Sequence, residues 1–128
     1  ETLFLAPEIR KFEFAFEFNP RNVEESLAVQ KIIKTLKHHA YPRKSVGGFF
    51  LEMPAEFKLE FYSVIDGVAR ENLWLNRIAR CVLQEINVDY TGAGSVSMFR
   101  NGAPTHINMT LSFQEIELIT QEYIDKGY

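Results

Sequence analysis

The sequence predicts an α+β fold built on a mostly antiparallel sheet or sandwich, and three patterns carry that prediction. Phe12, Phe14, Phe16 and Phe18 fall at strict period two, which only a strand places on one face. Apolar Val23, Leu27, Val29, Ile32, Ile33, Leu36 and Ala40 then recur at three and four, the period of an amphipathic helix. From Thr105 to Gln114 the alternation returns without a fault, with Ile107, Met109, Leu111 and Phe113 against His106, Asn108, Thr110 and Ser112. A strand, a helix and then a run of strands is the order of an α+β domain.

Each element has a local cause. Pro20, within Asn19-Pro20-Arg21-Asn22, cannot donate to a ladder and ends the first strand. Asn22 is placed to N-cap the helix of about 22–40, with Glu25 three residues on in capping-box position. Glu24 and Glu25 open that helix and Lys34, Lys37, His38 and His39 close it, which suits the macrodipole at both ends; Pro42 lies just beyond. Gly47-Gly48 lead into the apolar Phe49-Phe50-Leu51, and Phe57 to Phe61 alternates, so two further strands are expected there, with Asp66-Gly67 as a turn. Residues 71–84 fit a helix through Leu75, Ile78, Ala79 and Val82, and a strand through Cys81 and Leu83. Ile86 to Tyr90 is a strand, and the change of phase near Gln84-Glu85 predicts a bulge. Turns at Thr91 to Gly94 and at Asn101-Gly102 flank an expected strand over Ser95 to Phe99. A short last helix is expected from Thr120 to Gly127.

At 128 residues and 46% hydrophobic composition, the chain supports one domain, 1–128, with a real core. It begins at Glu1 rather than Met, as an excised domain would. A net charge of -3 does not advertise tight binding to a nucleic-acid backbone. The single Cys81 permits no internal disulfide and no thiolate cage. No apolar run approaches the ~18 residues of a membrane span, and no signal-peptide pattern opens the chain.

Catalytic, metal and cofactor sites are expected to be absent. His38-His39 point about 100 degrees apart on a helix and make a poor chelate. Cys81 with His106 is the one conceivable nucleophile and base, but a Cys within an apolar strand belongs to a core. Glu13 and Glu17, four apart at ~3.3 Å per residue, are too distant for a retaining glycosidase, and no third residue joins them. Gly47-Gly48 and Gly92 to Gly94 lack the Lys and Ser/Thr of a phosphate loop.

Charge placement is more informative. Lys31, Lys34, Lys37, Arg43 and Lys44 form a basic stretch with no acid between Glu25 and Glu52, whereas Glu115, Glu117, Glu122 and Asp125 cluster near the end. The two segments are candidates to meet across copies of the chain. The polar side of residues 105–114 carries no Asp, Glu, Lys or Arg. Because Ile116 and Leu118 are out of phase with Phe113, a bulge near Gln114-Glu115 is expected to turn Glu115 and Glu117 onto that side with Asn108, Thr110 and Ser112.

Several segments taken in order resemble one family. They are Pro7 to Phe14; Asn19-Pro20-Arg21 before a helix carrying Val29, Ile32-Ile33-Lys34, Leu36 and Lys37; Tyr41-Pro42; Phe50-Leu51 with Pro54 and Phe57; Arg80 to Leu83; Val88 to Thr91 with Gly94; and Asn101 to Pro104 leading into Met109 to Phe113. Together they are similar to the baseplate tail-tube junction, or tail-tube cap, proteins of T4-like contractile-tailed bacteriophages. The resemblance implies a tail-tube-type β-sandwich or barrel with one flanking helix and a strand over 71–84, forming the C-terminal part of a longer protein. It further implies a virion protein, assembled in the host cytoplasm, that forms a six-copy ring between baseplate hub and tail tube. Its partners would be its own copies, the tail-tube subunit, another hub or junction protein and the tape-measure protein, with DNA only in transit and no membrane anchor. It implies neither catalysis nor a cofactor. On this reading Glu13, Glu17, Asn108, Thr110, Ser112, Glu115 and Glu117 line the channel, while Lys31, Lys34, Lys37, Arg43, Lys44, Glu122 and Asp125 lie at subunit seams. Two alternatives are a tail-tube subunit of a phage or related injection system and a carbohydrate-binding β-sandwich, for which Trp74 and the five tyrosines would supply stacking faces.

Overall fold

The computed structural model describes residues 8–91 and 94–128. Its elements in chain order are β1 (Lys11–Phe18), α1 (Val23–Ala40), β2 (Arg43–Lys44), β3 (Leu51–Glu52), β4 (Tyr62–Ile65), β5 (Val68–Glu71), β6 (Cys81–Asp89), β7 (Ile107–Glu115) and α2 (Gln121–Asp125). The class is α+β, and every strand pairing among the described residues is antiparallel.

The central sheet has the order β1-β7-β6. β7 lies in the middle and alternates as its sequence dictates, with Ile107, Met109, Leu111 and Phe113 buried. Phe12, Phe14 and Phe18 on β1 and Cys81, Leu83, Ile86 and Val88 on β6 share that apolar side. The phase change on β6 is a bulge between Leu83 and Glu85, as the sequence predicts.

α1 covers this side with Ser26, Val29 and Ile33 buried and Leu36 and Ala40 packed beside them, a stripe at three and four. Asn22 Oδ1 accepts the Glu25 N–H at 2.9 Å, completing the expected N-cap. The reciprocal half of the capping box is displaced by one residue, because the Glu25 carboxylate accepts the Arg21 N–H at 2.7 Å.

The expected sandwich or barrel is not found among the described residues, because the strands that would build a second sheet do not pair as one. Phe57 to Phe61 is extended and turns Phe57, Leu59 and Phe61 onto the core, with the Phe57 and Phe113 rings 5.5 Å apart. Among the described residues its ladder contact is a single bridge from Phe57 to Cys81, and the strand forms later, at β4. Ser95 to Phe99 likewise makes one bridge, Met98 to Pro104, around the Asn101-Gly102 turn. The strand expected at 49–51 shrinks to Leu51–Glu52.

Residues 72–80 are neither helix nor strand, because their backbone donors go elsewhere. The Trp74 N–H donates to Asn72 Oδ1 at 2.9 Å, that of Arg77 to the Gly127 carbonyl at 2.7 Å and that of Ala79 to the Glu115 carboxylate at 2.7 Å. The Asp66-Gly67 turn is as expected: φ of 52° and 77° gives the two-residue connection that suits a twisted hairpin. In the turn expected at Thr91 to Gly94, Gly92 and Ala93 lie outside the described residues. α2 starts after Thr120 as expected, but the threonine side chain makes no capping hydrogen bond.

The other strands form two separate hairpins, β2-β3 and β4-β5. They are arms leaving the body made by the sheet and α1.

Candidate functional site

The side of the central sheet opposite α1 is its polar side. Strand register sets four rows across it: Lys11–Gln114–Val82, Glu13–Ser112–Glu85, Ala15–Thr110–Asn87 and Glu17–Asn108–Asp89. The charge-free middle column noted in the sequence is therefore flanked by four carboxylates, two on each outer strand. At ~4.8 Å between neighbouring strands, the flanking columns stand about 10 Å apart. That spacing makes a field rather than a chelate, since it is comparable to the screening length in physiological salt. Among the described residues, no group of three His, Cys, Asp or Glu is placed to hold a metal ion.

The row at Glu17, Asn108 and Asp89 borders a shallow depression of about 510 Å³. His106 stands beside this row: its Nδ1 lies 2.7 Å from Asn19 Oδ1 and 3.8 Å from the Glu17 carboxylate. The Thr91 hydroxyl and N–H, at 2.6 and 2.7 Å, hold the Asp89 carboxyl below the usual carboxylate range. On β6, Asn87 donates to Glu85 at 3.0 Å.

Five of the expected channel residues, Glu13, Glu17, Asn108, Thr110 and Ser112, thus share one surface. Glu115 and Glu117 do not join it, because the bulge expected at Gln114-Glu115 is absent. β7 keeps register with β1 from Ile107 to Gln114, and Glu115 stays in phase with Phe113 on the core side, 0% exposed. Burial of that carboxylate is sustained by partners at both oxygens: Arg10 Nε at 2.6 Å on one, and Arg10 Nη2 at 2.9 Å with the Ala79 N–H at 2.7 Å on the other. The cluster fastens the segment before β1, the loop before β6 and the end of β7. Glu117 lies past the strand, where Arg80 at 2.7 Å and the Tyr123 hydroxyl at 3.0 Å hold its carboxyl below the usual range.

Lys31, Lys34 and Lys37 are exposed on α1, and Arg43 and Lys44 on β2, where Arg43 pairs with Glu52 at 2.8 Å. Glu122 and Asp125 are exposed on α2. Among the described residues, no ion pair joins the basic stretch to those two acids. Cys81 is buried, and burial with the nearby Glu115 carboxylate pushes its thiol up to about 11. An unreactive core thiol is what that environment makes.

Sequence reasoning misses Glu85 and Asp89 as members of the polar surface. Their signal is the post-bulge alternation with Ile86 and Val88, but only the pairing of β6 with β7 places them beside Ser112 and Asn108. It also misses the arms. Val46, Phe49, Phe50, Leu51 and Met53 on one, and Tyr62, Val64 and Ile65 on the other, are all exposed, and Trp74 beyond the second is 97% exposed. No protein-family model, curated protein or solved structure matches the chain.

Proposed function

We propose that the chain is a structural subunit of a ring at the junction of a phage baseplate hub and tail tube. The ring templates tube assembly and lets DNA pass through its channel. One observation carries the reading: a three-stranded sheet covered on one side only, whose outer strands β1 and β6 have no further strand beside them among the described residues, apart from the Phe57 bridge. Six such sheets joined edge to edge remove those edges and form the barrel that the described residues of one chain do not.

The polar side then faces the channel. Glu13, Glu17, Glu85 and Asp89 give it a negative wall that repels the phosphate backbone, so DNA passes without sticking. Ser112, Thr110 and Asn108 supply a neutral lane between the acids. Acids on both edge strands favour a stagger that sets them opposite Ala15 and Asn87, because like charges directly opposed across strands destabilise the pair. Residual repulsion at the seam makes closure stronger at raised ionic strength. Lys31, Lys34, Lys37, Arg43 and Lys44 meet Glu122 and Asp125 of neighbouring copies at the outer seams. The tail-tube subunit, a second hub protein and the tape-measure protein are the remaining partners, in the virion tail.

The reading is tested by purifying the full-length protein with Glu13→Lys and Glu17→Lys in place and measuring DNA retention against salt. Salt-dependent retention absent from the parent is expected, with slower ejection from assembled particles. Unchanged retention and ejection would remove these residues from the channel. Growth of tubes without limit, instead of a stop at one ring, would favour the tail-tube subunit reading.

A further inference from the structure

β1 has one open edge. It is paired with β7 along one side, and among the described residues no strand lies along the other. One step beyond the Lys11–Gln114 pair, the Glu115 N–H donates to the Arg10 carbonyl directly across from it at 3.0 Å. That bond fixes the phase of the ladder: even-numbered residues of β1 turn their N–H and C=O to β7, and Lys11, Glu13, Ala15 and Glu17 turn theirs outward. A row of outward backbone groups is a template for another strand.

The side chains of the strand are unfinished as well. Phe12, Phe14 and Phe18 pack on the core, but Phe16, on the same side, is 45% exposed. α1 packs against β6, the strand farthest from β1. On the polar side Lys11 and Glu13 are exposed, and among the described residues neither has an ion-pair partner.

A second copy of β1 completes both sides. Opposed residues in an antiparallel pair share a face and a hydrogen-bonding phase, so β1 can meet itself only odd against odd and even against even. Two such registers overlap almost the whole strand. One, over Phe12 to Phe18, sets Glu13 against Glu17 twice and leaves Lys11 unopposed, and like charges directly across strands destabilise a pair. The other, over Lys11 to Glu17, sets Lys11 against Glu17 and Glu13 against Ala15, each twice. All the outward residues then exchange backbone hydrogen bonds with a partner. On the apolar side the same register sets Phe14 against Phe14 and Phe16 against Phe12, in the close, non-hydrogen-bonded pairs where aromatic side chains meet. Shorter overlaps leave some of the outward groups unpaired.

We infer that two copies of this chain pair through β1, antiparallel and about a two-fold axis at Phe14, into one sheet of order β6-β7-β1-β1-β7-β6. The contact is isologous and closes on itself. Main-chain hydrogen bonds supply its strength, while the Lys11–Glu17 and phenylalanine pairs select its register. It does not rest on the ring reading, yet it occupies an edge that the ring would use. A copy so paired holds its β1 back from ring closure.

The test is disulfide trapping in the full chain. Glu13→Cys and Ala15→Cys proteins are prepared separately, mixed and oxidised with copper phenanthroline, and products are read on non-reducing gels with peptide mass spectrometry. Both positions are exposed on the polar side, and Cys81 is buried and does not compete. The mixture is expected to yield a dimer cross-linked between position 13 of one copy and position 15 of the other, in preference to either variant with itself. In sedimentation equilibrium at low salt, Lys11→Glu is expected to weaken the dimer about tenfold, because two cross-strand pairs change sign. Adding Glu17→Lys to the same chain exchanges the charges and is expected to recover the association. A parent that stays monomeric at every concentration, cross-links only between like variants, or an exchanged chain that does not recover would each overturn the pairing. Rings are read separately in micrographs: mixed dimers without rings keep this contact and remove the ring, and rings without the mixed product do the reverse.

Discussion

The central sheet with α1 and the two hairpins that follow draw on the same residue types, yet Phe113 is buried while Phe50, in the first hairpin, stands in solvent. In the body, the core side chains of the central sheet have a facing layer from α1 or from the 57–61 segment. In the arms, the strands are two to four residues long, and a two-stranded ribbon has nothing to close over it. The body is stabilised by its own contacts, whereas the arms display apolar surface that the other described residues leave uncovered. Substitutions in the two regions are therefore expected to differ sharply in their effect on stability.

The largest effect belongs to the body. Phe113→Ala, which empties the space between the Phe14 and Phe57 rings, is expected to cost about 3–5 kcal/mol in urea unfolding. A loss below about 1 kcal/mol would mean that the 57–61 segment does not pack there. Glu115→Ala follows. It strands the Arg10 guanidinium and the Ala79 N–H, and because Arg10 is partly in water the cost is expected near the low end for a broken buried pair, about 3 kcal/mol.

These two positions also show what the sequence makes legible. The side of Phe113 follows from alternation alone, as do β1, the α1 stripe, the bulge at Gln84 and the Asp66-Gly67 turn, because each rests on residues within a few positions of one another. Glu115 reads wrongly for a physical reason. A carboxylate belongs outside unless it is paired, and its partner, Arg10, is 105 residues away. The polar surface is half legible. β1 and β7 declare their polar sides, while Glu85 and Asp89 join them only through β6 pairing. Strand-like alternation at 57–61 signals burial of one side correctly but carries no information about whether a neighbouring strand exists.

A third, smaller test uses Cys81. Its thiol is held up to about 11 in the folded body by burial, whereas in the unfolded chain it ionises near 8.5–9. The unfolded state therefore loses its proton first. Stability is expected to be unaffected below about pH 8.5 and to fall as pH rises from there through about 11. Cys81→Ala should remove that alkaline component. An unaltered alkaline profile would contradict a buried thiol.

The smallest stability effect is expected in the arm. Phe50→Ser should leave the unfolding free energy of the monomer within about 0.5 kcal/mol of the parent, as for an exposed site. Collapse of the monomer on that change would show the arm folded against its own body and would erase the contrast between the regions.

Everything proposed for the ring depends on a sheet that is open at its sides and acidic on one surface. Electron micrographs of the full-length protein co-expressed with a tail-tube subunit test this most directly. Closed rings with a central channel, on whose faces tubes begin, are the predicted result. Tubes that grow without it, with the protein remaining as unclosed single particles at every concentration and salt, would contradict it.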